Sequence, residues 1–295
     1  MKKLIAVALV VSGLMVAVAT EGGLLSAAGQ EPAFTIHKID QAHFAGTSDI
    51  TFMLAIGDDG RAGVGGHRAD ALHLIGVNPK AGRATMIDFP RDTWVDIPGH
   101  GQQRINAALE FGGAELQART VSQLTGVPIA FTITTNFDGL IGMVDDLGGV
   151  DVDVTQAMND PNSGAVFVQG RHHFDGHAAL AYSRNRHIGS GDLTRTYNQG
   201  QLIIAGLSKL RANQGPTSVF RSLNVLLRRA RAEGVSPTDL YRLGRLALSI
   251  NPANVQNVVI PARLGQVGAA SVVFVGPGAD SLFADFRDDA ILQSH

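Results

Sequence analysis

The fold follows from the stretch Ala71–Phe89, which reads ALHLIGVNPKAGRATMIDF. Two largely apolar runs, 71–77 and 83–89, flank the turn-forming residues 78–82, NPKAG. Asn, Pro and Gly between two such runs predict a β-hairpin. A third run, 50–57 (ITFMLAIG), precedes them. We therefore predict three antiparallel strands that pair in sequence order.

Charged residues collect at one edge of this predicted sheet. The end of the first strand, the start of the second and the end of the third share that edge when neighbouring strands are antiparallel. Asp59 follows the first strand, Arg68 and Asp70 begin the second, and Arg91 and Asp92 follow the third. The strand order therefore predicts that carboxylates and guanidinium groups converge there.

A second polar segment, 181–201, reads AYSRNRHIGSGDLTRTYNQGQ. If residues 192–210 form a helix, then Asp192, Arg195 and Gln199 begin the face that the helix buries. Guanidinium and amide groups at the start of a buried helical face are typical of an anion pocket, often one for phosphate.

Two further arginines in this segment impose a geometric condition. On a continuing helix Arg184 and Arg186 would point about 200° apart, whereas on an extended chain they would share a face. Both can serve one anion only if the preceding helix ends near Ser183. A helix running unbroken from Asp175 through Arg195 would contradict the arrangement.

The combination of two aspartates with several arginines favours a magnesium pyrophosphate over a bare phosphate. Asp59 and Asp70 would repel a bare phosphate, whereas Mg²⁺ accepts one or two carboxylates together with phosphate oxygens and water. The arginines would neutralise the remaining negative charge, including the charge that develops during phosphoryl transfer. We take Mg²⁺ as the expected ion and Mn²⁺ as its substitute.

Hydrophobic periodicity, caps and turn residues predict the remaining elements. Strands are predicted near 34–39 and at 129–134, 150–154, 165–168, 255–261 and 270–275, with a loop at 155–163. Helices are predicted at 105–111, 114–124, 136–147, 175–181, 218–233 and 237–249, and from residue 280 onward.

Composition excludes several classes of function. The 295 residues carry a formal net charge of -2 and a pI near 6.5, which argues against nucleic-acid binding by bulk charge. The sequence has no cysteine, so disulfides, iron–sulfur clusters and thiol catalysis are excluded. P-loop and GxSxG motifs are also absent from it.

The N-terminus has the pattern of an export signal. Lys2 and Lys3 precede an uncharged run, Leu4–Ala19, which ends in Ala-Val-Ala. This run is shorter than the roughly 20 residues of a relaxed membrane span, so cleavage near Ala19 and a retained signal anchor are both open. We expect a signal segment at 1–19, a linker at 20–47 and one catalytic domain at 48–295, outside the cytoplasm at the outer membrane face or secreted.

Six segments, in this order and spacing, resemble the LytR-CpsA-Psr glycopolymer transferases of bacterial cell envelopes. The resemblance is strongest over 49–212. The segments are IGDDGR (56–61), HRAD (67–70), FPRDTWVDIPGHGQQRINAALEFGG (89–113), DGLIGMVDDLGGVDV (138–152), FDGHAALAYSRNR (174–186) and GDLTRTYNQ (191–199).

The resemblance implies an enzyme that transfers a glycan from a polyprenyl-pyrophosphate carrier to peptidoglycan through a phosphodiester, working at the membrane surface. It implies a mixed central sheet covered by helices on both sides, and magnesium ligands at Asp59 and Asp70. Carried over by position, the pyrophosphate ligands are Arg68, Arg91, Arg104, Arg184, Arg186, Asp192, Arg195 and Gln199. Asp59, Asp70, Arg91 and Arg195 are the expected catalytic residues.

The sequence departs from the family pattern at a few positions. Arg104 occupies a usual lysine position, which keeps the charge but changes its geometry. Ala71 replaces a hydroxyl residue, Leu193-Thr194 replaces Phe-Gly, and Asn198 stands where arginine is frequent. No principal charge of the proposed site is lost.

Alternatives remain at this point. A hydrolase would use the same site with water as the acceptor, and a lipid- or glycan-binding module would bind without turnover. The general base is open between Asp92 and Asp192. A metal site at His172, His173 and His177 is disfavoured, because no HExxH or similar ligand set accompanies these histidines.

Overall fold

The computed structural model describes residues 32–39, 50–60, 67–212 and 228–293. Its strands are β1 (Phe34–Lys38), β2 (Thr51–Asp58), β3 (Ala69–Asn78), β4 (Arg83–Asp88), β5 (Trp94–Ile97), β6 (Gly101–Arg104), β7 (Phe131–Thr135), β8 (Val150–Val154), β9 (Met158–Asp160), β10 (Ala165–Phe167), β11 (Gly170–Phe174), β12 (Ala230–Glu233), β13 (Val255–Val259), β14 (Ala262–Val267) and β15 (Ala270–Val275). Its helices are α1 (Ala107–Thr125), α2 (Phe137–Asp146), α3 (Gly176–Arg184), α4 (Asp192–Ala212), α5 (Pro237–Ser249) and α6 (Ala279–Asp289).

The central sheet has seven strands in the order β12-β1-β7-β2-β3-β4-β13. β2, β3 and β4 pair antiparallel in sequence order, which confirms the prediction from the 50–89 region. Asn78 stabilises the β3–β4 turn, because its side-chain oxygen accepts a hydrogen bond from the Ala81 N–H at 3.0 Å. Gly82 completes the turn with φ of 62°, a conformation that glycine adopts without steric cost. The parallel pairs of β7 with β2 and β13 with β4 make the sheet mixed.

A β-bulge disturbs the pairing of β2 with β3 at the charged edge. Gly57 pairs with Ala71, but the next residue, Asp58, pairs with Ala69. Asp70 is therefore the extra residue of β3 and has no partner across the strand. Gly57 suits this close approach, since a Cβ at that position would come 2.9 Å from the Ala71 Cβ.

Helices cover both faces of the sheet, as the resemblance implied. On one face, α1 and α6 pack through residues such as Val121, Phe283 and Phe286 against the largest hydrophobic core. On the other face, α5 packs through Leu240 and Leu246, and α4 crosses β3, β4 and β13. α2, α3, α4 and the small strands β8–β11 enclose a separate core.

The segment with two arginines leaves helical geometry at the predicted place. α3 ends at Arg184, and Asn185 then takes an extended conformation with ψ of 127°. α4 begins at Asp192. The two helices are therefore separate, as the proposed anion pocket requires.

One predicted helix is wrong where the structure describes it. Residues 230–233, the end of the predicted 218–233 helix, form β12, which pairs parallel with β1. Strand pairing at the sheet edge overrides the local helical pattern there. Residues 218–227 lie outside the described residues.

Several smaller elements also differ from prediction. The predicted helices at 105–111 and 114–124 form one helix, α1, with non-helical backbone at Gly112 and Gly113. β9 lies within the predicted 155–163 loop. The sequence pattern also did not predict β5, β6, β11 or β14, which all belong to two-stranded sheets. Such short strands depend on their partner strand and carry a weak periodic signal.

Two predictions concern the membrane. The proposed signal segment, 1–19, lies outside the described residues. Within the described ranges, none of the helices combines the length and apolar character needed to cross a bilayer.

Candidate active site

The predicted convergence at the sheet edge is observed for Asp70, Arg91 and Asp92. The Arg91 Nη1 lies 2.5 Å from the Asp70 Oδ1, so the loop after β4 is joined to the start of β3. Asp92 faces the same guanidinium at 3.8 Å and also lies 3.4 Å from the Arg104 Nε. A second Arg104 nitrogen donates to the Ser271 carbonyl at 2.6 Å, which fixes this arginine against β15. The edge thus alternates guanidinium and carboxylate groups.

Asp59 and Arg68 extend the pairing of β2 with β3 beyond the bulge. The Asp59 N–H donates to the Arg68 carbonyl at 3.0 Å, and the Arg68 N–H donates to the Asp59 Oδ1 at 2.9 Å. The Arg68 side chain turns toward α1, where its Nε donates to Glu110 at 3.2 Å. The Arg68 guanidinium is therefore paired with Glu110 and not with the carboxylates around Arg91.

The start of α4 carries the second half of the site. The Arg195 Nη2 lies 2.8 Å from the Asp192 Oδ1, and the Arg186 Nε approaches the same oxygen at 3.7 Å. Arg195 is only 2% exposed. Its Nε has no hydrogen-bond partner among the described residues. A buried guanidinium that lacks partners is costly unless a ligand satisfies it.

Hydrogen bonds hold the turn between α3 and α4. The Gln199 Nε2 donates to the Ser183 carbonyl at 3.1 Å, and the buried Asn185 accepts the His187 N–H at 2.8 Å. Arg184 points to the other side of the turn, where its guanidinium carbon lies 5.2 Å from the centre of the Phe137 ring. The structure thus places Arg186 beside Asp192 and places Arg184 against α2.

Electrostatics connect the two halves of the site. Burial lowers the pKa of Arg195 to about 10; Asp192 opposes this change, and the nearby charges of Arg186 and Arg91 lower the pKa further. Burial also acts to lower the pKa of Arg91, but Asp70, Asp92 and Asp192 together raise it. Each half therefore lies within the electrostatic field of the other. Both arginines stay positively charged at neutral pH.

Several buried polar atoms of this region lack partners within the described part of the chain. Besides Arg195, they include the Arg91 Nε, the Asp192 Oδ2, the Gln199 Oε1 and the Asn198 Nδ2. A polar ligand that reaches between β3 and α4 would restore such bonds. The unpaired nitrogens of the two positively charged guanidinium groups, Arg91 and Arg195, favour an anion.

The aspartates at the edge fit a magnesium ion that takes further ligands from its substrate. Asp59 and Asp70 each use Oδ1 in a hydrogen bond, and neither Oδ2 bonds to a described residue. In the described ranges no group of three or more His, Cys, Asp or Glu side chains gathers as a ligand set. Two carboxylates completed by phosphate oxygens and water are the arrangement that Mg²⁺ accepts, so the donor set fits this ion.

Three residues of the site were not recognised as site residues from the sequence. Glu110, the partner of Arg68, is 42 positions away in the chain. Asn185 and Asn198 are 0% and 2% exposed, and both carry unpaired side-chain nitrogens in the described structure. The sequence shows Asn185 and Asn198 near arginines, but it does not show that their side chains are buried. Their burial is apparent only from the positions of α3 and α4 in the structure.

Two named proteins are similar to this chain in sequence. The chain is 32% identical over 234 residues to the probable cell wall biosynthesis protein LcpB of Corynebacterium glutamicum, a match that covers 79% of this chain and 56% of LcpB. It is 34% identical over 217 residues to the polyisoprenyl-teichoic acid–peptidoglycan teichoic acid transferase TagU of Halalkalibacterium halodurans, covering 69% and 71% of the two chains. The chain thus spans little more than half the length of LcpB.

A solved structure has the same fold. The LytR-CPS2A-psr family protein YwtF (TagT) with bound octaprenyl pyrophosphate lipid superposes with a TM-score of 0.67 at 23% identity, over 90% of this chain and 99% of that one. The model of the LytR_cpsA_psr family matches residues 24–282. This match covers most of the sequence, and the chain therefore belongs to the LytR-CpsA-Psr family.

Proposed function

We propose that the chain is an extracytoplasmic, Mg²⁺-dependent phosphotransferase that moves a glycopolymer from a polyprenyl-pyrophosphate carrier onto peptidoglycan through a phosphodiester. One observation carries this proposal. Arg195 is buried beside Asp192 with an unpaired Nε, and Arg91, which also has an unpaired Nε, is close enough for its charge to lower the pKa of Arg195. A pyrophosphate would supply the missing acceptors and offset the repulsion between the guanidinium groups.

The relatives support the choice of substrate class. TagU is named as a transferase of teichoic acid from a polyisoprenyl carrier to peptidoglycan, and the YwtF structure contains a polyprenyl pyrophosphate. Because the chain spans 56% of LcpB, we argue the role of each site residue from the structure of this chain alone.

The arginines would bind the donor and stabilise the transferring phosphoryl group. Arg91 and Arg195 would contact the pyrophosphate oxygens, where fixed positive charge stabilises the transition state. Asp70 keeps Arg91 in place and Asp192 keeps Arg195 in place through their ion pairs.

Gln199 stabilises the turn that carries Arg186. Arg68, Arg104 and Arg184 would lie at the borders of the donor site, where each already has a protein partner.

Asp59 and Asp70 would hold the magnesium ion. A bound Mg²⁺ would polarise the phosphoryl oxygens and neutralise part of their charge. Asp70 would hold the ion in addition to pairing with Arg91.

The reaction balances without a further reactant. A hydroxyl oxygen of peptidoglycan would attack the phosphorus that carries the glycan, and the bond from this phosphorus to the bridging oxygen would break. Polyprenyl phosphate would leave with the bonding electron pair, and the hydroxyl proton would pass to a base. With a lipid-linked donor the reaction would occur at a membrane surface, and the export pattern at residues 1–19 supports the outer face of the cytoplasmic membrane.

A single incubation tests the proposal. Purified protein, Mg²⁺, a synthetic polyprenyl-pyrophosphate glycan and soluble peptidoglycan fragments are combined, and the products are identified by mass spectrometry. We expect a glycan–phosphate–peptidoglycan product together with polyprenyl phosphate. Glycan phosphate without coupling would instead indicate a hydrolase, and an unchanged donor that still binds would indicate a binding module.

A further inference from the structure

Next to the proposed magnesium edge lies an imidazole that the proposed site does not use. β2 ends at Asp58, whose Oδ1 accepts the Gly60 N–H at 2.8 Å. The other oxygen, Oδ2, lies 2.7 Å from the His67 Nδ1. The backbone therefore fixes the carboxylate, and the carboxylate fixes the histidine ring.

Glycine at position 60 allows the ring to lie flat against the chain. A Cβ at Gly60 would come 2.3 Å from the His67 Nδ1 and 2.6 Å from the ring carbon Cε1. The histidine thus packs directly on the backbone, although 65% of its side chain is exposed. This contact and the Asp58 pair together limit the rotation of an otherwise exposed side chain.

The Asp58 pair also sets the chemistry of the ring. A carboxylate that accepts from Nδ1–H leaves the lone pair of the neutral imidazole on Nε2, as in the pair that orients the base of serine hydrolases. The hydrogen bond to Asp58 and the charge of Asp58 raise the pKa of His67, Asp59 adds to this rise, and slight burial opposes it. The neutral ring therefore becomes a stronger proton acceptor.

The ring faces an open cavity that could hold a sugar. The cavity has a volume of about 430 Å³ and is lined by Asp58, His67, Leu109, Glu110 and Gly113. Glu110 is one of the lining residues and also accepts a hydrogen bond from Arg68. Asp59, the proposed magnesium ligand, follows Asp58 directly in the chain. The cavity is therefore lined by the direct chain neighbour of the proposed magnesium ligand and offers polar groups for hydroxyl recognition.

Asp92 and Asp192, the two candidate bases from the sequence, are each paired with arginines. Asp92 lies between Arg91 and Arg104, and Asp192 lies between Arg186 and Arg195. A carboxylate that is paired with two guanidinium groups is a weak proton acceptor. His67 has one carboxylate partner and an Nε2 without a hydrogen bond to any described residue.

We propose that His67, oriented by Asp58, is the general base of the transfer, and that the cavity between it and α1 binds the peptidoglycan sugar. The hydroxyl proton would move to the His67 Nε2 while the hydroxyl oxygen bonds to phosphorus and the bridging P–O bond breaks. His67 would return the proton to solvent after polyprenyl phosphate leaves. The inference rests on the proposed transferase function and adds the acceptor side of its site.

Three variants test the inference: His67→Gln, Asp58→Asn and the control His177→Gln, which changes another exposed histidine, on α3. The coupling rate with a synthetic polyprenyl-pyrophosphate N-acetylglucosamine and soluble peptidoglycan fragments is measured across pH. In the wild type the rate should fall as pH decreases through the raised pKa of His67, because a base must be unprotonated. His67→Gln should lower the rate by on the order of 10²-fold or more and remove this acid limb.

The remaining outcomes separate a base from a merely structural residue. Asp58→Asn should shift the acid limb to lower pH, since it removes the group that raises the His67 pKa. Binding of the same donor, followed by fluorescence titration, should be unchanged in His67→Gln, and His177→Gln should match the wild type throughout. Wild-type rates and pH dependence in His67→Gln would overturn the inference. Absence of coupling by the wild type itself would instead overturn the proposed function.

Discussion

The Arg91 Nη1 lies 2.5 Å from the Asp70 Oδ1, and both side chains are largely shielded from solvent, with 21% and 18% of their areas exposed. This ion pair joins the loop after β4 to the start of β3, which meet because β3 and β4 are antiparallel neighbours. Asp70 is also the unpaired residue of the bulge. The bulge therefore places the carboxylate where it can hold an arginine and, in our proposal, a metal ion.

Replacing Arg91 should impair both activity and stability. Arg91→Ala leaves Asp70 without its partner, which should lower the free energy of unfolding by about 1–3 kcal/mol. It should also reduce the coupling rate by on the order of 10²-fold, because a fixed charge at the phosphoryl group is lost. Arg91→Lys should retain more stability than activity, since lysine keeps the charge but not the planar donor geometry. Equal coupling rates in all three proteins would count against the assigned role.

Arg195 should contribute to both stability and binding. Arg195→Met leaves Asp192 without its ion-pair partner at 2.8 Å, so the ligand-free variant should be less stable than the wild type. Pyrophosphate should raise the melting temperature of the wild type, because it binds the folded state. The variant should lose this increase. A variant that is less stable without ligand, yet still gains stability from pyrophosphate, would show that Arg195 is structural.

Magnesium dependence should follow Asp59. Asp59→Asn keeps an oxygen that can accept the Arg68 N–H but removes the negative charge, so the Mg²⁺ concentration for half-maximal coupling should rise roughly tenfold or more. Asp96→Asn, a change at another aspartate outside the proposed site, is the matched control. The measurement is a magnesium titration of the coupling rate. Identical titrations for wild type and Asp59→Asn would remove Asp59 from the metal site.

Parts of this site follow from local sequence rules, and other parts do not. The edge with Asp59, Asp70 and Arg91 could be predicted because the turn at 78–82 and the apolar runs fix an antiparallel order. The end of α3 was predicted from a ligand shared by Arg184 and Arg186; the helix does end there, but Arg184 packs on Phe137 whereas Arg186 lies near Asp192. Both inferences use only short-range geometry.

The partners of long side chains depend on tertiary placement. Arg68 reaches Glu110 on α1 and Arg104 reaches the Ser271 carbonyl on β15, and no sequence spacing specifies these contacts. β12 is a similar case, since it owes its extended form to pairing with β1 rather than to its own residues. The burial of Arg195 also becomes apparent only when α4 lies across the sheet.

A buried aspartate beneath α4 should make stability depend on pH. Asp88 is 0% exposed and lies 2.6 Å from the His73 Nδ1. Burial raises the pKa of Asp88 to about 6, although His73 and Asn257 oppose the rise. Between about pH 4 and about pH 6 the folded protein thus keeps a proton that the unfolded chain releases. The stability that this proton contributes is complete below about pH 4 and is lost as pH rises through about 6.

Asp88→Asn should remove this dependence. Relative to the wild type, the free energy of unfolding of the variant should rise by on the order of 2–3 kcal/mol from about pH 4 to about pH 7.

Asp160→Asn provides a control of opposite sign, because hydrogen bonds from His187 and then Ser163 lower the pKa of Asp160 to about 2. The wild-type advantage over that variant should be present above about pH 4 and disappear as pH falls toward 2. Urea unfolding at several pH values measures both, and parallel stability curves for Asp88→Asn and wild type would refute the assignment.

The most direct test of the central claim is the rate of glycan transfer to peptidoglycan by wild type and by Arg195→Met, each confirmed to be folded, under saturating Mg²⁺. If the buried guanidinium at the start of α4 binds the pyrophosphate of the donor, the variant should transfer on the order of 10²-fold more slowly than the wild type. Transfer by Arg195→Met at the wild-type rate would contradict the claim that this pocket is the site of phosphoryl transfer.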